Sequence, residues 1–96
     1  MEREKFGIGT IVVHFKREMM SHEDKKAHKA RYMYTVLAHA THTETGEKLV
    51  IYRSLEDMKE YARPEDMFYS EVDKEKYPDV KQKYRMIPIW EYRESI

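Results

Sequence analysis

His42-Thr43-Glu44-Thr45-Gly46-Glu47-Lys48-Leu49-Val50-Ile51-Tyr52-Arg53-Ser54-Leu55 is the stretch on which the fold turns. Its first half carries turn chemistry, with threonines and carboxylates leading to Gly46, a residue that adopts a left-handed backbone without steric cost. Its second half alternates: Leu49, Ile51, Arg53 and Leu55 oppose Val50, Tyr52 and Ser54, the period of a half-buried strand. The stretch is therefore a hairpin corner running into its return strand. Immediately upstream, Arg31 to Thr41 is the longest strand candidate. Tyr32, Tyr34, Val36, Ala38 and Ala40 fall on one face, and Met33, Thr35, Leu37, His39 and Thr41 on the other. Both faces are partly apolar, which suits a strand in the middle of a curled sheet.

Working outward, Thr10 to Phe15 is β-branched and aromatic, a first strand with Ile11, Val13 and Phe15 on one face and Val12 and His14 on the other. Residues 17–29 hold little that is apolar. Ser21 has the character of a helix N-cap, with carboxylates in the turn after it, so this segment is expected to be an exposed polar loop with one or two helical turns. Tyr61-Ala62-Arg63 is a short strand closed by Pro64, which suits the first position of a helical turn ending at Phe68. Met67 and Phe68 would plug one end of a barrel. Tyr69 to Val72 is a further short strand, Asp73 to Gln82 a charged, solvated loop, and Tyr84 to Ile89 a last strand that Pro88 either places at an edge or ends. Short strands separated by turn signals, with one helical turn before a late strand, predict a mainly β fold: a single small SH3-like β-barrel spanning 1–96. A barrel of that size encloses no ligand, so function belongs on loops or in a shallow groove.

Composition narrows the function classes. With 18 basic and 18 acidic residues, the chain lacks the cationic excess of a general nucleic-acid binder. It has no cysteine, so disulfides, thiolate metal sites and cysteine nucleophiles are excluded. The charged N-terminus is followed by no long apolar run; a cytoplasmic location without membrane association is the expectation. Eight tyrosines against three phenylalanines suit a thin core with amphipathic edges.

Three constellations compete as sites. His14, His39 and His42, with Glu44, would make an open zinc-like site, although His39 and His42 are three apart and on a regular strand face opposite ways. The Thr43 to Glu47 corner presents hydroxyls and carboxylates, which turn chemistry already accounts for. The third set joins Tyr52, Arg53, Tyr61 and Arg63 to His14, Lys16 and His42 at strand ends. Aromatic rings beside guanidinium groups suit stacking on a base and gripping a phosphate or carboxylate. No GxSxG, P-loop, GxGxxG or HExxH pattern is present, and no cofactor is called for. The expectation is a binding module for an anionic, nucleotide-like small molecule or a short peptide or nucleic-acid segment. The alternatives are a histidine-centred, metal-assisted hydrolase of a nucleotide or phosphoester, and a host- or phage-directed protein-interaction module, monomeric or paired through a strand edge.

Four pieces of the chain carry a family resemblance: Val13-His14-Phe15-Lys16; Val36 through Tyr52, including Ala38-His39-Ala40-Thr41-His42-Thr43-Glu44-Thr45-Gly46; Ala62-Arg63-Pro64 with Met67-Phe68; and Ser70 to Pro78 with Gln82 to Arg85. In this order they resemble the small bacterial and phage proteins known as domain of unknown function 1653. The chain departs from the family pattern after Tyr52, where Arg53-Ser54-Leu55-Glu56 stands in place of a Gln-Ala-Leu-Tyr-like stretch. The resemblance implies a small β-rich domain. It brings no established activity and no catalytic residues.

Overall fold

The computed structural model describes residues 3–93. Five strands form one antiparallel sheet: β1 (Ile11–His14), β2 (Met33–Thr41), β3 (Lys48–Ser54), β4 (Glu60–Pro64) and β5 (Met86–Pro88), in the order β4-β3-β2-β1-β5. The mainly β expectation holds, but the closure of an SH3-like barrel does not: the sheet is open between β4 and β5. It does curl. The rings of Tyr34 on β2 and Tyr61 on β4 lie 6.4 Å apart, whereas two strand spacings in a flat sheet amount to roughly 10 Å. Two short helices, α1 (His22–Ala27) and α2 (Glu65–Phe68), and 3₁₀ turns at Phe15–Met19 and Ile89–Glu91 complete the architecture. No helix among the described residues is long and apolar enough to cross a membrane.

The decisive corner forms as its residues dictate. Gly46 has φ +74°, and its N–H donates to the His42 carbonyl at 2.9 Å while the His42 N–H donates to the Glu47 carbonyl at 2.8 Å. The alternation expected along β2, however, breaks at Leu37. Val36 pairs with Tyr52 and Ala38 with Ile51, so Leu37 is an extra residue with no partner of its own. Beyond it the faces exchange: His39, opposite Val50, shares the side of Tyr34 and Val36, while Ala38 and Ala40 turn away. A strand apolar on both faces leaves its register weakly specified.

One face of the sheet buries the core. Val12, Val36, Val50, Tyr52, Phe68, Tyr69 and Met86 form it, with Phe6 and Tyr34 packed alongside. Phe68 plugs the open side as expected; Met67 does not, and is 47% exposed. Pro64 ends β4 and precedes α2 without entering it. The strand expected over Tyr69 to Val72 reduces to a single bridge between Glu71 and Tyr84, flanked by backbone bonds from Val72 to Lys83 and from Arg85 to Ser70.

Two segments expected to be solvated are tied down. Phe15, Val72 and Val80 make a second core cluster, with Tyr77 against it. The Glu18 carboxylate accepts the backbone N–H groups of Lys81 at 2.6 Å and Gln82 at 2.9 Å, and Lys74 Nζ donates to the carbonyls of Val80 and Gln82. The charged run after Asp73 is thus a strap over Phe15. In the polar segment near residues 20–29, Ser21 caps α1 by accepting from the Asp24 N–H at 3.0 Å, and no residue of α1 is buried. Buried Arg17 nevertheless anchors the segment, donating to the carbonyls of His28 and Arg31. Because Glu18 satisfies two backbone donors 63 and 64 residues away, Glu18→Ala is expected to cost about 1–3 kcal/mol. Hydrogen exchange should speed up at the Lys81 and Gln82 amides, while the amides of the β2–β3 hairpin change only by the global loss.

Candidate functional site

The β3–β4 register places Tyr61 opposite Tyr52 and Arg63 opposite Val50, all on the core-facing side of the sheet. Tyr34 joins them from β2 across its edge-on contact with Tyr52, ring centroids 5.1 Å apart, and Tyr52 and Tyr61 lie 5.9 Å apart. Burial, followed by the neighbouring Tyr52, Tyr61 and Tyr32, pushes the Tyr34 phenol up to about 12, with Arg63 opposing the shift. The Tyr34 phenol therefore stays protonated at neutral pH. Tyr61 is 41% exposed, which leaves the outer end of the tyrosine row open to solvent.

Two guanidinium groups are fixed at the margin of this row, each through Nε. Arg63 Nε donates to the Tyr52 hydroxyl at 3.2 Å, and Arg85 Nε to the Ser70 hydroxyl at 3.3 Å. The Arg85 backbone is clamped as well, its N–H donating to Ser70 and its carbonyl accepting from Phe15, both at 2.9 Å. Partial burial lowers the Arg85 pKa, and the charge of Arg63 lowers it further.

His14 sits at the same place on β1, in line with core residue Val12 and opposite Met86. Its ring stacks on Phe15, centroids 4.5 Å apart, and meets Tyr32 at 5.8 Å. Nδ1 accepts the Lys16 N–H at 3.1 Å, so the proton of the neutral ring is on Nε2. Burial, with the charges of Arg63, Arg85 and Lys16, pulls its pKa down to about 3. That Arg63 on β4 acts on both His14 and Arg85 is a consequence of the curl. Tyr32, which accepts the His14 N–H at 2.9 Å, is held at φ +65°, a strained value for a bulky side chain.

The ion pairs among the described residues lie outside this cluster. Lys5, Arg31 and Arg53 each face a carboxylate, on Glu65, Glu56 and Glu60 respectively. Among the described residues, Lys16, Arg63 and Arg85 have none within ion-pair distance. Arg63 forms no ion pair with its acidic neighbours in sequence, Glu65, Asp66 and Glu71.

Of the residues expected in the site, the structure brings together His14, Lys16, Tyr52, Tyr61 and Arg63. Arg53 points to the opposite face and bonds Glu60 at 2.6 Å. His42 stays at the hairpin corner, roughly 20 Å along β2 from Val36 by strand rise, where Nδ1 accepts the N–H groups of Glu44 and Thr45. His39 bonds the Phe6 carbonyl at 2.8 Å. The three histidines are thus separately engaged, and among the described residues no group of three or more His, Asp or Glu side chains is placed to hold a metal ion. Arg85, Ser70, Tyr34 and Tyr32 were missed. Arg85 lies within the expected last strand, but only the pairing of that strand with β1 brings it to His14.

Residues 10–86 match the family described as protein of unknown function, DUF1653, and the chain belongs to that family. No curated protein and no solved structure matches it.

Proposed function

We propose that this member of the DUF1653 family is a binding module for a small anionic ligand carrying a flat ring, of the nucleotide kind. The observation that carries the reading is the set of three cations, Lys16, Arg63 and Arg85, without carboxylate partners beside a partly exposed tyrosine row. Like charges held together in a partly desolvated place are unfavourable unless an anion neutralises them. Fixing each guanidinium through Nε presents it in one orientation, which reduces the entropy lost when a ligand is gripped. The outermost ring, Tyr61, offers a stacking surface for any planar group. With no net positive charge over the chain, long-range attraction to a nucleic-acid backbone is weak, and a compact ligand fits better than a polymer.

A calorimetric panel of nucleotides tests this. Charge-assisted hydrogen bonds contribute about 1.5–3 kcal/mol each, so Arg63→Ala is expected to weaken binding by tenfold or more. Arg53→Ala, on the opposite face, is expected to leave the affinity within twofold. Equal losses from the two substitutions, or no binding across the panel, would overturn the proposal.

A further inference from the structure

We infer that the ligand's anionic end is a phosphate monoester, a terminal dianion, received by the Nη groups of Arg63 and Arg85 and the Nε2–H of His14; this rests on the anion-binding reading above. The donors are already sorted for the task. Each arginine spends Nε on an internal hydroxyl, Tyr52 for Arg63 and Ser70 for Arg85, and among the described residues neither engages its Nη groups. His14 is 6% exposed, yet only Nδ1 is bonded internally. Its Nε2 is a donor by default and has no partner among the described residues, although it is not sealed from solvent. Open to solvent and unpaired among the described residues, it is free to donate to a ligand oxygen.

The count of charges points to a dianion. A diester or carboxylate monoanion would leave the Arg63–Arg85 pair with a surplus positive charge, and Lys16 adds a third nearby. A terminal phosphoryl group supplies up to two negative charges and three acceptor oxygens, matching two planar forks and one imidazole donor. The neutral state of His14 fits this use: it gives a hydrogen bond without adding a fourth cation to the cluster. The strained backbone of Tyr32, against the same ring, helps to fix the imidazole plane.

The experiment compares adenosine 5′-monophosphate and uridine 5′-monophosphate with their 3′,5′-cyclic monophosphates, the free nucleosides and inorganic phosphate, by calorimetry on the intact chain. The monoesters are expected to bind at least tenfold more tightly than the cyclic diesters. In ³¹P spectra the second ionisation of the bound monoester should fall below its free value of about 6, because the site holds the dianion. His14→Asn keeps an acceptor for the Lys16 N–H but has no Nε2–H, and should lose tenfold in monoester affinity while the diesters change little. Arg85→Lys keeps the charge and removes the fork, and should shrink the same preference should the His14 variant fail to fold. Cyclic diesters binding as well as monoesters would overturn the dianion inference and leave the anion reading standing. Inorganic phosphate binding as tightly as the nucleotides would overturn the nucleotide assignment. Failure of every anion would remove both.

Discussion

Acidification from pH 7 to pH 4 is expected to remove about 3 kcal/mol of folding stability through His14 alone, at 1.36 kcal/mol per pH unit below the unfolded pKa. In the folded chain this ring is buried among the charges of Arg63, Arg85 and Lys16 and titrates at about 3, against 6.5 when free. Between those values the unfolded chain binds a proton that the folded chain refuses. Stability is therefore complete above the free value, declines as pH falls through the window, and loses no more through this group once both states are protonated. Domains of this kind are stable by about 5–15 kcal/mol, so the loss is a large share of the whole. Urea unfolding at pH 7, 5.5 and 4 measures it, and the same series on His14→Asn isolates it from the carboxylates. Among those, Asp57 has its pKa lowered by the Lys59 N–H and titrates in both proteins. Equal pH slopes for the two proteins would show that His14 titrates freely in the folded state.

Phe68→Ala is expected to cost about 3–5 kcal/mol, the usual range for emptying a buried aromatic site. Phe68 is fully buried, with ring centroids of Tyr69, Tyr52 and Phe6 at 5.0, 5.3 and 6.3 Å. Its helix, α2, has four residues, too few to persist on backbone hydrogen bonding alone; the ring holds the turn in place. The urea midpoint should fall by at least about 1 M, since slopes for small domains are about 1–3 kcal/mol per M. Tyr52 packs on Phe68 and also orients Arg63, so nucleotide affinity should weaken in this variant although the substituted residue belongs to the core. A loss under 1 kcal/mol would mean that neighbouring rings close the gap.

Local chemistry made much of this legible. The Gly46 corner, the two strands it joins, the Ser21 cap and the helical turn after Pro64 are each encoded within a few residues, and each forms. Tyr52, Tyr61 and Arg63 were recognisable as a set because turn signals confined them to adjacent strands. The alternation of β3 already separates Arg53 from Tyr52, so parity alone argued for leaving Arg53 out. Other features depend on contacts that no local pattern carries. Glu18 reaches across more than sixty positions to Lys81 and Gln82, converting a charged run into an anchored strap. Arg85 enters the site through the pairing of the last strand with the first, and strand order is a property of the whole chain.

The unpaired Leu37 divides the long hairpin into two separately phased arms. The arm nearer the core carries Tyr34, Val36 and Tyr52, and its side-chain parity is fixed by burial. The outer arm, from Ala38 to the corner and back to Ile51, takes its parity from the bulge. Its tip is therefore a modular extension: residues added or removed there in opposed pairs leave the tyrosine row where it is. Deleting Leu37 alone removes the extra residue and leaves Val36 opposite Tyr52 and Ala38 opposite Ile51, so His39 and Thr41 keep their face and only the local kink is lost.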